Sequence, residues 1–345
     1  MNKNTTPPIR EFFMGIDVSK LHFDAALMIS DYRRQGDIVT ARFENNAAGL
    51  KAFDKWMKEY QVSRDENTLL VIENTGLYHR LIWNFCAKHG IRIHIGNGAE
   101  IKWSFGIARG KNDKVDSVRL CSYCFKNVDK LKVAPEPDLA ILKLKDLISS
   151  RARLVSQRAA NKKHLKELKA TSDPAIYKVV EKANKDAIAG LSKSIKALEA
   201  EIKRVLATSE TLDTNYKLLK SVPGIGPVIA AYLISCTFNF AANRTGKQLA
   251  CYAGIAPFGI ESGTSVKRKP KVHKMGNKEL KALLNQGARS AVQHNPEYKQ
   301  YYDRKIKEGK DDLWVINAIK NKIVLRAVAV VRRGNPYVDK YRLAA

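Results

Sequence analysis

Lys111-Asn112-Asp113-Lys114-Val115-Asp116-Ser117 is the stretch on which the reading of this chain turns. Asp113 and Asp116 stand three apart. The residues after them (Val118, Leu120, Cys121, Cys124, Phe125) have the spacing of a helix with one apolar side. Side chains at i and i+3 share a helix face, so both carboxylates point the same way. Two like charges side by side cost stability unless a cation lies between them. On a surface helix such a pair has no consequence. It gains meaning from two further acids, each of which falls on a strand.

Toward the N-terminus, residues 12–19 (FFMGIDVS) and 22–29 (HFDAALMI) read as strands joined by a tight turn at Ser19-Lys20-Leu21. Residues 38–44 (IVTARFE) alternate as a third strand. Residues 46–60 have helical spacing through Leu50, Phe53, Trp56 and Met57. Residues 69–72 (LLVI) form a buried strand that ends in Glu73-Asn74-Thr75-Gly76. A helix is expected over 77–89, stopped by Gly90, and another strand over 91–95. This is the element order of a ribonuclease H-like α/β fold. Asp17 lies in the middle of the first strand, where a buried charge is costly without a partner. Glu73 ends the fourth, at the carboxyl edge where α/β sites gather. With Asp113 and Asp116 they make four carboxylates that can meet at one sheet edge and hold Mg²⁺, a hard cation that takes oxygen ligands. Two such ions, about 3.5–4 Å apart, can clamp the attacking and leaving oxygens of phosphoryl transfer. The bland alternative is four unrelated surface acids.

A length of 345 residues suggests two or three domains, and a hydrophobic content of 45% is enough for real cores. The 61 Lys and Arg against 34 Asp and Glu leave a formal charge of +27. That field points to a polyanion, of which nucleic acid is the commonest. The basic residues are spread along the chain rather than gathered on one amphipathic helix, which argues against an anionic membrane surface. The most apolar runs, 227–236 and 323–331, are too short to span a bilayer, and Arg326 interrupts the second. Residues 1–10 are polar with two prolines and lack the apolar segment of an export signal. Five cysteines form no disulfide framework. A cytoplasmic protein with no membrane partner is expected. Cys121-Ser122-Tyr123-Cys124 is a single CxxC without a second pair at zinc spacing, and reads as helix packing.

Beyond Pro135-Glu136-Pro137 the composition shifts. Asp138 can cap a helix reaching about residue 168, Asp173-Pro174 breaks it, and a second helix runs to about residue 206. Leu191, Ile195, Leu198, Ile202 and Val205 are spaced four, three, four, three, which is a heptad seam. The pair reads as an antiparallel hairpin or coiled-coil arm. The expected division is 1–134, 135–210 and 211–345. In the last part, Val222-Pro223-Gly224-Ile225-Gly226-Pro227 fits a helix–hairpin–helix. Gly224 and Gly226 allow a tight turn, and the N–H groups opening the next helix can take a DNA phosphate. An ordinary helix junction would read the same way. A Gly/Pro-rich loop then carries Ser262, Thr264 and Ser265 into the basic run Lys267, Arg268, Lys269, Lys271 and Lys274. Basic side chains beside such a loop suit the approach of a phosphodiester to a hydroxyl. Either serine can be a nucleophile once a metal or base activates it. The residues alone leave a nucleophile loop and a phosphate-binding loop equally open.

Taken together, the motifs resemble the IS110/IS1111-type transposases. Gly15-Ile16-Asp17-Val18-Ser19-Lys20, Ile72-Glu73-Asn74-Thr75-Gly76 and Lys111-Asn112-Asp113-Lys114-Val115-Asp116-Ser117 look like that family's acidic tetrad. Val222 to Pro227, Tyr252-Ala253-Gly254-Ile255-Ala256-Pro257, Ser262-Gly263 and Lys274-Met275-Gly276-Asn277 look like its C-terminal transposase domain. Met275 departs from the basic residue expected there. The resemblance implies a recombinase that moves its own insertion element. A RuvC-like domain would supply Asp17, Glu73, Asp113 and Asp116 for Mg²⁺. Ser262 would attack a DNA phosphate to form a covalent phosphoserine. A noncoding bridge RNA would pair with target and donor DNA, and dimers or tetramers would bring one subunit's tetrad to another's serine. Two other classes stay open: a metal-dependent junction endonuclease with water as nucleophile, and a non-catalytic nucleic-acid-binding protein that keeps the fold.

Overall fold

Three antiparallel strands open the chain: β1 (Arg10–Val18), β2 (His22–Asp31) and β3 (Ile38–Glu44). The β1–β2 turn is closed by Ser19, whose N–H and hydroxyl both donate to the His22 carbonyl, at 2.9 and 2.8 Å. β4 (Thr68–Glu73) runs parallel to β1, and β5 (Arg92–Gly96) parallel to β4, giving one mixed sheet in the order β3-β2-β1-β4-β5. α1 (Ala47–Glu59) is capped by the Asn46 side chain, which accepts from the Gly49 N–H at 2.9 Å. α2 (Arg80–Lys88) follows β4, while α3 (Gly98–Ser104) and α4 (Asp113–Asn127) follow β5. Phe53 of α1 meets Phe23 and Phe43 of the sheet and Phe85 of α2 in an aromatic cluster, with centroids 5.4–5.6 Å apart. Leu120, Cys121 and Cys124 of α4 pack with Phe13, Met28, Leu69 and Val71 on the other face. Each large side chain so buried contributes about 1.5–3 kcal/mol. This five-stranded sheet with its helices fits a ribonuclease H-like domain. α2 begins three residues later than the sequence spacing suggests, and α3 was not foreseen.

The described residues are 10–31, 34–74, 76–105, 113–241, 245–262, 266–272 and 276–339 of this computed structural model, with the backbone alone at 113–114, 260–262 and 266–271. They divide into two compact units, Met1–Pro137 and Asp138–Ala345.

The second unit is mostly helical. α5 (Leu139–Thr171) and α6 (Pro174–Leu206) start at Asp138 and Asp173, whose carboxylates accept from the first N–H groups. Arg151 bonds to Glu199 at 2.7 Å and Arg158 to Ser192 at 3.3 Å, so the two helices run antiparallel. Ile195 and Ile202 of the heptad seam are buried, while Leu191 and Leu198 are half-buried. α7 (Glu210–Lys220), α8 (Pro227–Thr237) and α9 (Gly246–Tyr252) follow. After the strands β6 (Pro257–Ser262) and β7 (Val266–Val272) come α10 (Lys278–His294), α11 (Pro296–Lys307) and α12 (Asp312–Arg333). Ile148, Ile202, Leu219, Leu233, Leu284, Ile319 and Val324 lie in one apolar core. No helix among the described residues is long and apolar enough to cross a membrane.

One segment differs in kind from its sequence reading. The Gly/Pro-rich stretch expected as a loop is an antiparallel ribbon, with Pro257 opposite Val272 and Ser262 opposite Val266. Gly259 sits where the register shifts, between Phe258 and Ile260. Glycine within a strand marks such a bulge rather than the strand's absence.

Candidate active site

Asp17 lies one residue from the end of β1, not in the middle of the strand as the sequence suggests, and is half-buried. The parallel register pairs Ile16 with Ile72, so the next position on each strand is Asp17 and Glu73. Side chains two apart on a strand share a face. Phe13, Gly15 and Asp17 on β1, and Leu69, Val71 and Glu73 on β4, therefore form two adjacent rows that end in carboxylates.

α4 lies across these rows. The Cys121 thiol donates to the Phe13 carbonyl at 3.2 Å, and the Cys124 thiol to the Leu69 carbonyl at 3.3 Å. Gly15 faces Ser117, Leu120 and Cys121. Moving along the helix from Ser117 to Cys121 thus moves back along β1 from Gly15 to Phe13. α4 is antiparallel to β1, and its first turn, with Asp113 and Asp116, points to the end of the sheet that carries Asp17 and Glu73. Asp116 accepts from Arg119 at 2.9 Å. Asp113 contributes only its backbone position, since its side chain lies outside the described residues, as do Lys111 and Asn112. The two thiols are packing groups, as the CxxC spacing suggests. Burial raises both, pushing the Cys121 thiol up to about 12.

Two glycines and an acid were not singled out in the sequence. A Cβ on Gly15 would fall 2.0 Å from the Cys121 backbone nitrogen, so only glycine lets α4 lie this close to β1. A Cβ on Gly98 would fall 1.8 Å from Glu73 Oε1, so the glycine at the start of α3 makes room for that carboxylate. The signals were present: Gly15 stands two before Asp17, on the same strand face, and Asn97-Gly98 follows β5. Asp24 is opposite Asp17 in the β1–β2 register and is only 6% exposed. Arg42, opposite Asp24 on β3, donates to both its carboxylate oxygens at 2.8–3.2 Å. Asp24 is thereby neutralised beside Asp17 and does not add a bare charge to it.

Carboxylates at the ends of adjacent parallel strands are the oxygen donors a hard divalent cation prefers. Among the described residues no three acidic, imidazole or thiol side chains are close enough to bind one ion together. The donor chemistry fits such an ion, with Asp113 as the remaining contributor named by the sequence.

In the second unit, Gly224 has a left-handed backbone (φ +89°) and packs against Gly287, whose carbonyl would lie 2.9 Å from an added Cβ. Gly226 is different. It begins α8 without a side-chain cap and nothing lies within 4 Å of where its Cβ would be. A groove of about 920 Å³ runs past both glycines, bordered by Lys220, Gln286, Ser290 and His294. β7 carries Lys267, Arg268, Lys269 and Lys271 on its backbone. Lys274 and Ser265 lie outside the described residues, and Ser262 contributes its backbone place at the end of β6. The foot of this ribbon is tied by Asn277. Its N–H donates to the Tyr252 carbonyl at 2.8 Å, its amide to the Tyr252 hydroxyl at 2.9 Å, and it accepts from Tyr232 at 3.0 Å.

A ribonuclease H-type sheet ending in carboxylates, on a chain of +27, fits the class of enzymes that act on the nucleic-acid backbone. Residues 14–169 match the model of the IS110-type DEDD transposases, and residues 216–303 that of the Transposase IS116/IS110/IS902 family. The pilin gene-inverting proteins of Moraxella bovis and Moraxella lacunata are each 28% identical over 330 residues, covering 94% of this chain and 97% of the relative. A protein of insertion element IS110 from Streptomyces coelicolor is 29% identical over 145 residues, 42% of this chain and 35% of the relative. The chain belongs to the IS110-family transposases. It is a DNA recombinase of an insertion sequence, and DNA is its substrate.

Proposed function

We propose that the protein cuts and rejoins DNA with a carboxylate site in the first unit and Ser262 in the second. The observation that supports this most is the direction of α4, which brings Asp113 and Asp116 to the sheet end where Asp17 and Glu73 stand in adjacent rows. Asp17, Glu73, Asp113 and Asp116 would hold Mg²⁺, which when bound supplies Lewis-acid stabilisation of the charge on a transferring phosphoryl group. Glu73 is seated for this by Gly98, and Asp24 is kept from competing by Arg42. Ser262 attacks a DNA phosphate: an Oγ–P bond forms, one phosphodiester P–O bond breaks, and the released DNA hydroxyl takes the proton. The phosphoserine conserves the ester for rejoining.

In this reading the chain is organised as residues 1–134, 135–210 and 211–345, with α5 and α6 as the coiled-coil arm. α7 and α8 form a helix–hairpin–helix whose Gly224–Gly226 turn contacts the DNA backbone. Lys267, Arg268, Lys269, Lys271 and Lys274 add phosphate contacts beside the serine. A bridge RNA encoded next to the gene selects target and donor DNA, and the working assembly is a homodimer or homotetramer.

The test is a denaturing gel of labelled element-end DNA, supplied with RNA transcribed from the sequence adjoining the gene, with and without protease. Ser262→Ala is expected to lose the protein–DNA adduct and recombination together while binding persists, and Tyr252→Phe to keep the adduct. Hydrolysed ends without any adduct in the unsubstituted protein would make water the nucleophile.

A further inference from the structure

Helix ends set both feet of the β6–β7 ribbon. The incoming chain leaves α9 through a left-handed turn at Gly254 (φ +65°). The Gly254 N–H donates to the Cys251 carbonyl at 2.9 Å and the Ile255 N–H to the Ala250 carbonyl at 3.0 Å, the paired bonds that close a helix C-terminus. The Asn317 side chain on α12 donates to the Ile255 carbonyl at 2.9 Å. The outgoing chain enters α10 at Asn277, whose side chain accepts from the Leu280 N–H at 2.8 Å.

Between these helix ends the two feet meet backbone to backbone. A Cβ on Gly276 would fall 2.2 Å from Gly254 Cα, 2.6 Å from Gly254 N and 3.1 Å from the Ala253 carbonyl carbon. Those neighbours are all backbone atoms, so no side chain can move aside. Asn277 fastens the contact from the next position through its bonds to the Tyr252 backbone and hydroxyl and to the Tyr232 hydroxyl. Such a root acts as the pivot of a lever. At about 3.4 Å per residue, β6 carries Ser262 about 17 Å from Pro257. A turn of about 3° at the root moves that end by about 1 Å, and a displacement of this size in a reacting constellation costs about 100-fold in rate.

We propose that Gly254, Gly276 and Asn277 form a clamp at the root of the ribbon that aims Ser262 at the DNA phosphate it attacks. This rests on the reading that Ser262 is the nucleophile. The three are positioning residues: they act through the direction of the strands and not by touching DNA.

The experiment follows single-turnover cleavage of labelled element-end DNA by the full chain in Mg²⁺, with RNA transcribed from the sequence adjoining the gene. Gly276→Ala forces the feet apart and is expected to cleave about 100-fold more slowly at saturating protein. Its half-saturating concentration should equal that of the unsubstituted protein. Asn277→Ser keeps a cap on α10 but cannot reach Tyr252, and is expected to lose about tenfold in rate. Asn277→Asp keeps the cap and can accept from both tyrosine hydroxyls, so it should recover most of that loss. An effect through stability alone would lower binding and melting temperature along with the rate. Full-rate cleavage by either Gly276→Ala or Asn277→Ser overturns the proposal, as does a deficit that binding shares in full or that Asn277→Asp fails to repair. Should Gly276→Ala fail to fold, the two Asn277 variants decide alone. The two readings separate: an adduct surviving Ser262→Ala with slow cleavage by the clamp variants contradicts only the nucleophile, while an adduct lost in Ser262→Ala with full-rate clamp variants contradicts only the clamp.

Discussion

Gly15→Ala is the sharpest perturbation of the first unit because one methyl group tests how α4 is seated. The new Cβ would lie 2.0 Å from Cys121 N, 2.4 Å from Ser117 O and 2.5 Å from the Leu120 carbonyl carbon. Comfortable contact for carbon begins at about 3.5 Å, so the helix must lift by about 1 Å or more. All three neighbours are backbone atoms, and no rotamer change can relieve the contact. Overpacking of this kind costs about 1–3 kcal/mol. Lifting α4 also stretches the two thiol bonds to Phe13 and Leu69. The first turn of α4 moves with it, and a displacement of about 1 Å in a reacting constellation costs about 100-fold in rate. Gly15→Ala is therefore expected to lose about 2–3 kcal/mol in urea unfolding followed by circular dichroism, and about two orders of magnitude in DNA cleavage. Unchanged stability together with full cleavage would refute the claim that this glycine sets the position of the acidic residues.

Gly98→Ala should behave differently: its Cβ meets the movable end of Glu73, so unfolding should stay within about 1 kcal/mol of the unsubstituted protein while cleavage falls at least tenfold. A fall in stability as large as that of Gly15→Ala would contradict this. In the second unit, burial opposes ionisation of Glu297, but hydrogen bonds from Arg326 and Tyr337 outweigh it and hold the carboxyl below its ordinary value. A lowered carboxyl stabilises the fold above the unfolded value of about 4.3, and that stability is lost as pH falls through the folded value. Glu297→Gln should therefore melt lower than the unsubstituted protein at pH 7, with the two melting temperatures converging as pH falls below about 4; a constant difference over that range would count against the ion pair.

The sheet was legible because its signals are local. Alternation marks β3, an unbroken apolar run marks β4, and Gly90 closes the segment after α2. The order of elements then leaves few ways to pair them. Asp17 and Glu73 could be named from their strands, yet their adjacency needed the β1–β4 register. What α4 does to Gly15 was not legible at all, because a close approach between segments a hundred residues apart leaves no periodicity in either one. Gly98 was hidden for the same reason, as its partner is a side chain on another strand. The β6–β7 ribbon was misread as a loop because Gly259, Gly263 and Pro270 carry the signature of irregular chain, and the register shift that accommodates Gly259 is a tertiary fact. Asn277 stood in a recognised motif without a role until its bonds to Tyr252 and Tyr232 gave it one.

The most direct test of the central claim is cleavage by Asp17→Ala and Asp113→Asn, compared with the unsubstituted protein in Mg²⁺ and in EDTA, with DNA binding measured in parallel. If the carboxylates at the end of β1 and β4 and the start of α4 form one metal site, both substitutions and EDTA abolish cleavage. DNA affinity should meanwhile hold or rise slightly, because a negative charge has been removed. Full cleavage in EDTA, or by either variant, would contradict the account.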